Sequence, residues 1–290
     1  MQPDLLADLA RTRLLDPTAI RRAADARQRA ESPVGKSGKC FVIAADHTAR
    51  GALGTGGNPL AMADRGDLLD RLRTALENPG CNGVLATADI LEDLLLLGAL
   101  DGKTVFGSMN RGGLAGASFE IDDRFTGMSA DAIARMGFDG GKMLTRIDFA
   151  DDRTAPTLEA SARAVDALAD RGLIAMVEPF VSCRELGKLV NDLSTEAVVK
   201  SVAIASGLGS TSAHTWLKLP TAPDMARVAA ASTLPMVLLG GEVTDLAAQK
   251  DQWSASLELP NVVGLTVGRS LLYPEDGDVA KAVDAVVGLL

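Results

Sequence analysis

The chain has 290 residues, of which 47% are hydrophobic and 3% aromatic, and its formal net charge is -9. This acidity argues against a general nucleic-acid surface, because phosphate binding needs a basic face. The sequence contains no run of about 20 apolar residues that would span a bilayer, and residues 1–10 lack the basic and apolar regions of a signal peptide. We therefore expect a cytoplasmic protein with neither a nucleic-acid nor a membrane partner.

Residues 1–38 are predicted to form an N-terminal helical segment, because leucines recur there at helical spacing. A single α/β barrel commonly reaches about 250 residues. We therefore predict one domain over 1–290, in which 39–290 form a barrel and 1–38 cover its bottom. Cys40, Cys81 and Cys183 are widely spaced and form no CxxC pair, so we expect reduced thiols.

From residue 41 onward, short apolar runs alternate with longer amphipathic segments. Eight runs are predicted as strands: 41–45, 83–86, 105–109, 142–147, 173–177, 215–219, 236–239 and 263–267. The segments predicted as helices are 67–77, 88–100, 129–136, 157–171, 184–206, 222–231, 245–257 and 279–290. This alternation implies right-handed crossovers and a parallel sheet. Eight units favour the α/β class and a closed (β/α)8 TIM barrel with an N-terminal helical extension.

An open, doubly wound sheet is the alternative, and it would need a dinucleotide fingerprint after its first strand. The glycine cluster at 54–59 fails that pattern because its last position is Pro59. Gly35-Lys36-Ser37 fails as a phosphate-binding loop because Ala30 stands where a glycine is required. Both clusters are predicted to be turns. The glycine-rich loop 110–127 follows the third predicted strand and is predicted to act as a lid.

Lys218 stands inside the apolar run 215–219. Burial disfavours an ammonium group, and a lysine that is partly neutral near pH 7 is a nucleophile towards carbonyl carbons. A lysine at a strand end that reaches solvent, or that pairs with a carboxylate, fits the same run equally well. The run alone leaves both interpretations open.

Lys142 and Arg146 lie on one face of the fourth predicted strand, because side chains alternate along a strand. We expect this face to point into the barrel, since charges facing the helical shell would be costly. Lys142 and Lys218 then lie on even-numbered strands and are expected to approach each other, which would lower their pKa values. The alternative for Lys142 is an internal ion pair with Asp46, Glu178 or Asp148.

Two acids follow predicted strands at the end where barrel active sites lie. Asp46 follows the first strand, and Glu178 follows the fifth and precedes Pro179. A carboxylate at this rim can move protons to and from substrate hydroxyls. Either acid can instead simply hold a lysine in place.

Glycines at the ends of the last two predicted strands indicate an anion site. Gly240-Gly241 and Gly268 let backbone N–H groups approach a phosphate, and Arg269 adds a fixed cation. Zinc-dependent aldol chemistry would require several imidazole ligands, whereas the chain contains only His47 and His214. We therefore expect no metal and no cofactor.

These segments resemble the class I (Schiff-base) aldolases of the tagatose-1,6-bisphosphate and deoxyribose-phosphate aldolase superfamily, which includes archaeal-type fructose-bisphosphate aldolases. The resemblance covers most of 41–273. It rests on Ala45-Asp46-His47, Arg50-Gly51-Ala52-Leu53, Gly140-Gly141-Lys142-Met143-Leu144, Val177-Glu178-Pro179, Trp216-Leu217-Lys218-Leu219-Pro220 and Val267-Gly268-Arg269. The tagatose-bisphosphate aldolases are the most similar group.

The resemblance implies reversible retro-aldol cleavage of a phosphorylated ketose or keto-sugar acid by a metal-independent lyase, which we also expect to be a homo-oligomer. Lys218 would form the Schiff base, Glu178 and Lys142 would be its companions, and Asp46 would lie by the substrate hydroxyls. The residues expected to bind substrate or phosphate are His47, Arg50, Arg146, Gly240, Gly241, Gly268 and Arg269.

The chain departs from the family pattern at two places. Thr48-Ala49 separates His47 from Arg50, and Arg146 stands in a stretch where the relatives tend to carry aromatic residues. The extra arginine indicates a more acidic substrate, with a carboxylate or a second phosphate. Three alternatives remain: a 5-dehydro-2-deoxyphosphogluconate-type aldolase of inositol catabolism, a non-catalytic sugar-phosphate-binding barrel, and a barrel isomerase that uses Glu178 as a base.

Overall fold

Parallel strands close into a barrel in the computed structural model, which describes residues 3–241 and 246–290. The strands in those residues are β1 Cys40–Ala44, β2 Gly83–Ala86, β3 Thr104–Ser108, β4 Gly140–Ile147, β5 Ile174–Glu185, β6 Lys188–Asn191, β7 Thr215–Leu219, β8 Met236–Leu239 and β9 Val262–Val267. All except β6 are parallel to their neighbours in the barrel, and pairing between β4 and β5 closes the ring. The predicted (β/α)8 TIM barrel is confirmed.

Helices surround this barrel. In the same part of the chain they are α1 Pro3–Leu15, α2 Ala19–Ala26, α3 Arg65–Glu77, α4 Ala88–Leu96, α5 Ala130–Arg135, α6 Thr154–Ala169, α7 Thr195–Ser206, α8 Met225–Ala229, α9 Leu246–Leu257, α10 Arg269–Leu272 and α11 Val279–Val287, with a 3-10 turn at His47–Arg50. Side chains of Asp64, Ser129 and Ser194 accept backbone N–H bonds at the first turns of α3, α5 and α7. Such caps define where a helix begins. None of the described helices is both long and apolar enough to cross a membrane.

Two apolar clusters hold the layers together. A small cluster inside the barrel contains Val42, Leu85, Phe106, Met176 and Val237, all fully buried. A larger cluster packs the outer faces of the strands against the helices. Because side chains alternate along a strand, one face of each strand fills the barrel and the other holds its helix.

The N-terminal segment packs at the end of the barrel where the strands begin. Arg27 donates from Nη1 to the Lys103 carbonyl oxygen at 2.8 Å and from Nη2 to the Gly137 carbonyl oxygen at 2.6 Å. Lys103 directly precedes β3, and Gly137 lies shortly before β4. The segment therefore contacts the bottom of the barrel, away from the carboxyl ends of the strands.

The predicted helix 184–206 is wrong in its first half. The strand β5 continues through Pro179 to Glu185 and pairs antiparallel with β6. Leu186 and Gly187 connect the two strands with φ values of 49° and 81°. Two successive residues with positive φ are typical of the two-residue turns that connect the strands of a hairpin. The helix α7 begins only at Thr195.

Candidate active site

The carboxyl ends of the barrel strands surround a cavity of about 500 Å³. The residues predicted to act in catalysis or binding all line it: Asp46, His47, Arg50, Lys142, Arg146, Glu178, Lys218, Gly240, Gly241, Gly268 and Arg269. Glu242, which follows Gly241 in the sequence, lies outside the described residues. The geometry thus brings the predicted set together, while the roles of its members remain predictions.

A wider cavity of about 1070 Å³ adjoins the first and shares Gly241 and Arg269 with it. The turn at 54–59 and residues near α10 and α11 form its walls. Neither buried lysine of the barrel lines this outer cavity. The smaller inner cavity therefore holds the groups suited to carbonyl chemistry.

Lys218 and Lys142 share one carboxylate at the floor of the inner cavity. Lys218 Nζ lies 2.8 Å from Glu178 Oε1, and Lys142 Nζ pairs with Glu178 Oε2. Lys142 Nζ also lies 3.2 Å from Asp46 Oδ2. Lys218 is 3% exposed and Lys142 is 1% exposed. The four groups form a continuous buried chain of alternating charge.

Burial and the neighbouring charges together determine the protonation states of Glu178, Asp46 and Lys142. Burial alone would raise the pKa of Glu178, but Lys142 and Lys218 outweigh it and hold that pKa well below its ordinary value. Arg111 and Lys142 likewise overcome burial and hold the pKa of Asp46 well below its usual range. Burial, reinforced by Arg111, lowers the pKa of Lys142 to about 8. Both acids are therefore ionised near pH 7, and Lys142 titrates close to neutrality.

Arg111 is the last member of this buried chain of charges, and it was not predicted from the sequence. Its Nε donates to Ser108 Oγ at 2.8 Å, and its Nη2 pairs with Asp46 Oδ2. The preceding residue anchors the loop, because Asn110 Nδ2 donates to the Leu144 carbonyl oxygen at 2.5 Å and Asn110 Oδ1 accepts from the Leu144 backbone N–H at 2.8 Å. The sequence does contain one signal for this role, namely an arginine shortly after the end of β3.

Replacing Arg111 with methionine is expected to lower the free energy of unfolding at pH 7 by about 2 to 3 kcal/mol. The reason is that Asp46 would lose one of its two cationic partners while staying buried, and breaking a buried ion pair is costly. Urea denaturation would measure the change. Arg124→Met is the matched control, because Arg124 is 74% exposed and its pair with Asp122 should contribute less than about 1 kcal/mol. Equal losses in the two variants would contradict the prediction.

Two arginines of the cavity wall, Arg50 and Arg146, share Glu120 as an ion-pair partner. Arg50 Nη2 lies 2.8 Å from Glu120 Oε1, and Arg146 Nη2 lies 3.2 Å from the same oxygen. Arg50 Nη1 is 3.4 Å from Asp123 Oδ2. Burial lowers the pKa of Arg146 to about 10, which still leaves it charged at pH 7. Glu120 and Asp123 come from the predicted lid loop 110–127, which is thereby tied to the cavity wall.

Glycines line the opposite wall, and the backbone requires them there for two different reasons. A Cβ at Gly268 would lie 2.4 Å from the Ala44 carbonyl oxygen, and Gly241 has a φ of +62°. Arg269 Nη1 donates to the Gly54 carbonyl oxygen at 3.1 Å. His47 stands next to this wall, and burial of its ring lowers its pKa to about 3. The ring is therefore neutral at pH 7.

Across residues 3–241 and 246–290, no cluster of three or more His, Cys, Asp or Glu side chains has the arrangement of a metal site. The thiols of Cys40 and Cys81 are buried, and Cys183 is exposed. The charged groups that line the inner cavity are amines, guanidinium groups and carboxylates.

The fold and the cavity define a TIM-barrel protein with a buried lysine pair at the carboxyl ends of its strands. The chain belongs to the Cgl0159-like family, whose model matches residues 38–287. The crystal structure of Cgl0159 from Corynebacterium glutamicum is similar throughout, with 51% identity and a TM-score of 0.97 over 100% of this chain and 97% of that chain.

More distant solved structures share the fold. An archaeal fructose 1,6-bisphosphate aldolase is 20% identical with a TM-score of 0.66, over 89% of this chain and 95% of that chain. A Schiff-base-forming fructose-1,6-bisphosphate aldolase is 20% identical with a TM-score of 0.64, over 89% and 96% of the two chains. At this identity the likeness shows the barrel alone. The comparison with curated protein sequences found no match.

Proposed function

We propose that the chain is a class I aldolase that cleaves a phosphorylated ketose or keto-sugar acid through a Schiff base on Lys218. The observation that supports this most directly is the buried amine of Lys218, held 2.8 Å from Glu178 Oε1 at the floor of an accessible cavity. A lysine kept only for structure would not need an open cavity in front of it. The aldolases that share the fold support the same reaction class, and the resemblance to tagatose-bisphosphate aldolases remains an expectation.

In the proposed reaction, Lys218 attacks the substrate ketone as the free amine, and the proton that it gives up passes to Glu178. The carbinolamine oxygen takes that proton back from Glu178, gains a second proton from solvent in the open cavity and leaves as water, which produces an iminium ion. The iminium withdraws the electron pair of the neighbouring carbon–carbon bond. As that bond breaks, Glu178 or Asp46 takes the proton from the adjacent hydroxyl group, and an aldehyde is released.

The remaining enamine is protonated at carbon, and water hydrolyses the resulting iminium to free a ketone and regenerate Lys218. The ketone product is proposed to be dihydroxyacetone phosphate or a related three-carbon unit. Its phosphate would lie against the backbone of Gly241 and Gly268, which line the cavity, and beside Arg269. No cofactor takes part in this scheme.

Borohydride trapping tests the proposal directly. The protein would be incubated with dihydroxyacetone phosphate, treated with borohydride and digested, and the adduct would be mapped by mass spectrometry. The expected result is one stable adduct on Lys218 that forms only when both reagents are present. Labelling of another lysine, or none at all, would overturn the proposal.

Replacing Lys142 with methionine is expected to slow trapping at pH 7 about ten-fold or more, and progressively less above pH 8. Lys142 is mostly the ammonium at pH 7 and mostly the amine above about pH 8. The charge that Lys142 places beside Glu178 and Lys218 is therefore present mainly below about pH 8, so its removal matters most there. The ratio of the wild-type rate to the variant rate should fall towards one as the pH rises. A ratio that stays constant from pH 6.5 to pH 9.5 would refute this role.

A further inference from the structure

Among the described residues that line the inner cavity, cationic side chains outnumber carboxylates, although the whole chain is acidic. Among the described residues that line it are six cations: Arg50, Arg111, Lys142, Arg146, Lys218 and Arg269. The described carboxylates are Asp46, Glu120 and Glu178. Asp123, which pairs with Arg50 from outside the lining, offsets one of these cations. The cavity is therefore suited to an anionic substrate.

Arg146 has donors available for such a group. Its Nη2 pairs with Glu120, but its buried Nε and Nη1 have no hydrogen-bond partner among the described residues. Leaving a buried donor without an acceptor destabilises the protein, most of all when the donor is charged. The side chain is 12% exposed and lines the cavity. A ligand oxygen that enters the cavity can supply the missing acceptor after a small shift of the side chain.

The neighbouring arginines already have carboxylate partners. Arg50 contacts both Glu120 and Asp123, and Arg111 pairs with Asp46. Of these three arginines, Arg146 is the one with buried donors that lack a partner among the described residues. A guanidinium with two donors available can form the paired hydrogen bonds that a planar carboxylate accepts.

Barrel topology places Arg146 opposite the proposed phosphate site. Around the closed ring, β4, which carries Arg146, lies four strands away from β9, after which Gly268 and Arg269 follow. The strand β7, which carries Lys218, lies midway between them on one side of the ring. A substrate whose ketone is bonded to Lys218 and whose phosphate lies by Arg269 thus extends its other end towards Arg146.

We infer that Arg146 binds a carboxylate at the end of the substrate remote from the phosphate, so that the substrate is a phosphorylated keto-sugar acid. This inference rests on the proposed function for the placement of the ketone and the phosphate. Arg146 is then the residue that determines specificity at the distal end. Glu120 holds its guanidinium in place through Nη2.

A matched pair of ligands without a ketone tests the inference by binding alone. The probes are 6-phosphogluconate and glucitol 6-phosphate, which share a six-carbon chain and a phosphate but differ by a terminal carboxylate. Isothermal titration calorimetry is expected to show that 6-phosphogluconate binds at least about ten-fold more tightly, since a hydrogen bond between two charged groups is stronger than one to a hydroxyl group. Arg146→Met should reduce this preference to within about two-fold.

Two further variants separate specific recognition from general effects. Arg146→Lys should retain part of the preference, because it keeps the charge but loses the planar fork. Arg153→Met should alter neither affinity, since Arg153 is exposed and donates to the Ser118 carbonyl oxygen. Circular dichroism of each variant would establish that the fold is intact.

The inference is overturned if the wild-type protein does not prefer 6-phosphogluconate, if Arg146→Met retains the preference, or if neither probe binds. Tighter binding of glucitol 1,6-bisphosphate than of 6-phosphogluconate would also overturn it, in favour of a second phosphate. None of these results depends on a Schiff base, because the probes lack a ketone. The aldolase proposal is judged separately by the borohydride adduct on Lys218.

Discussion

Lys218→Arg is expected to eliminate the borohydride adduct and to slow enamine formation by at least about a thousand-fold, which corresponds to roughly 4 kcal/mol in the activation barrier. An arginine keeps a cation beside Glu178, but its guanidinium stays protonated and cannot attack a carbonyl carbon. Exchange of the carbon-bound hydrogen of dihydroxyacetone phosphate in deuterated water, followed by NMR, would measure enamine formation without knowledge of the aldehyde partner.

Lys200→Arg is the control for this experiment, because Lys200 is exposed on α7 and lies outside the cavity. Its exchange rate should equal that of the wild-type protein. Exchange that persists in Lys218→Arg would show that another group forms the enamine. A protein that binds the phosphate but shows no exchange even in its wild-type form would fit the sugar-phosphate-binding alternative.

The barrel and its lysine pair could be predicted because they follow from local patterns. Alternation along β4 indicated that Lys142 and Arg146 face inward, and both line the cavity. The apolar run around Lys218 indicated burial, and the residue is 3% exposed. In a parallel barrel the carboxyl ends of all strands meet on one face. Residues far apart in the sequence could therefore be assigned to one cavity without a structure.

The partners of the arginines could not be predicted, because they come from a loop with no periodicity. Nothing local indicates that Glu120 bridges Arg50 and Arg146, or that Arg111 reaches Asp46. Such pairs depend on the path of residues 110–127, which is fixed by contacts such as that of Asn110 with β4. The prediction of a lid described the composition of this loop but not its attachment.

The hairpin of β5 and β6 shows a second reason why part of the fold could not be predicted from the sequence. Residues 184–206 carry enough helix-favouring side chains to suggest one helix, but the first part forms a strand and a turn. Pairing with β6 supplies the hydrogen bonds for the end of β5 that extends beyond the barrel. Tertiary pairing of this kind overrides local propensity, and Leu186-Gly187 is a weaker hairpin signal than Asn-Gly.

Glu178→Gln is expected to lower the free energy of unfolding by about 3 to 5 kcal/mol at pH 7, because it leaves Lys142 and Lys218 buried without the carboxylate they share. The folded pKa of Glu178 is depressed, so its stabilising contribution is fully present above its unfolded pKa of about 4.3 and declines as the pH falls from that value through the depressed folded pKa. Urea denaturation should therefore show the full difference from wild type near pH 7 and a reduced but still measurable difference near pH 3.

The same variant should become less destabilised as the pH rises above about 8, because Lys142, whose folded pKa is already lowered to about 8, loses its charge and no longer needs a partner. Glu196→Gln is the matched control, since Glu196 is 64% exposed and pairs with Arg227 on the surface. That change should cost less than about 1 kcal/mol at every pH. If the two variants lost equal stability at pH 7, Glu178 would not be the shared counter-ion of the lysine pair, and the proton transfer assigned to it would lose its basis.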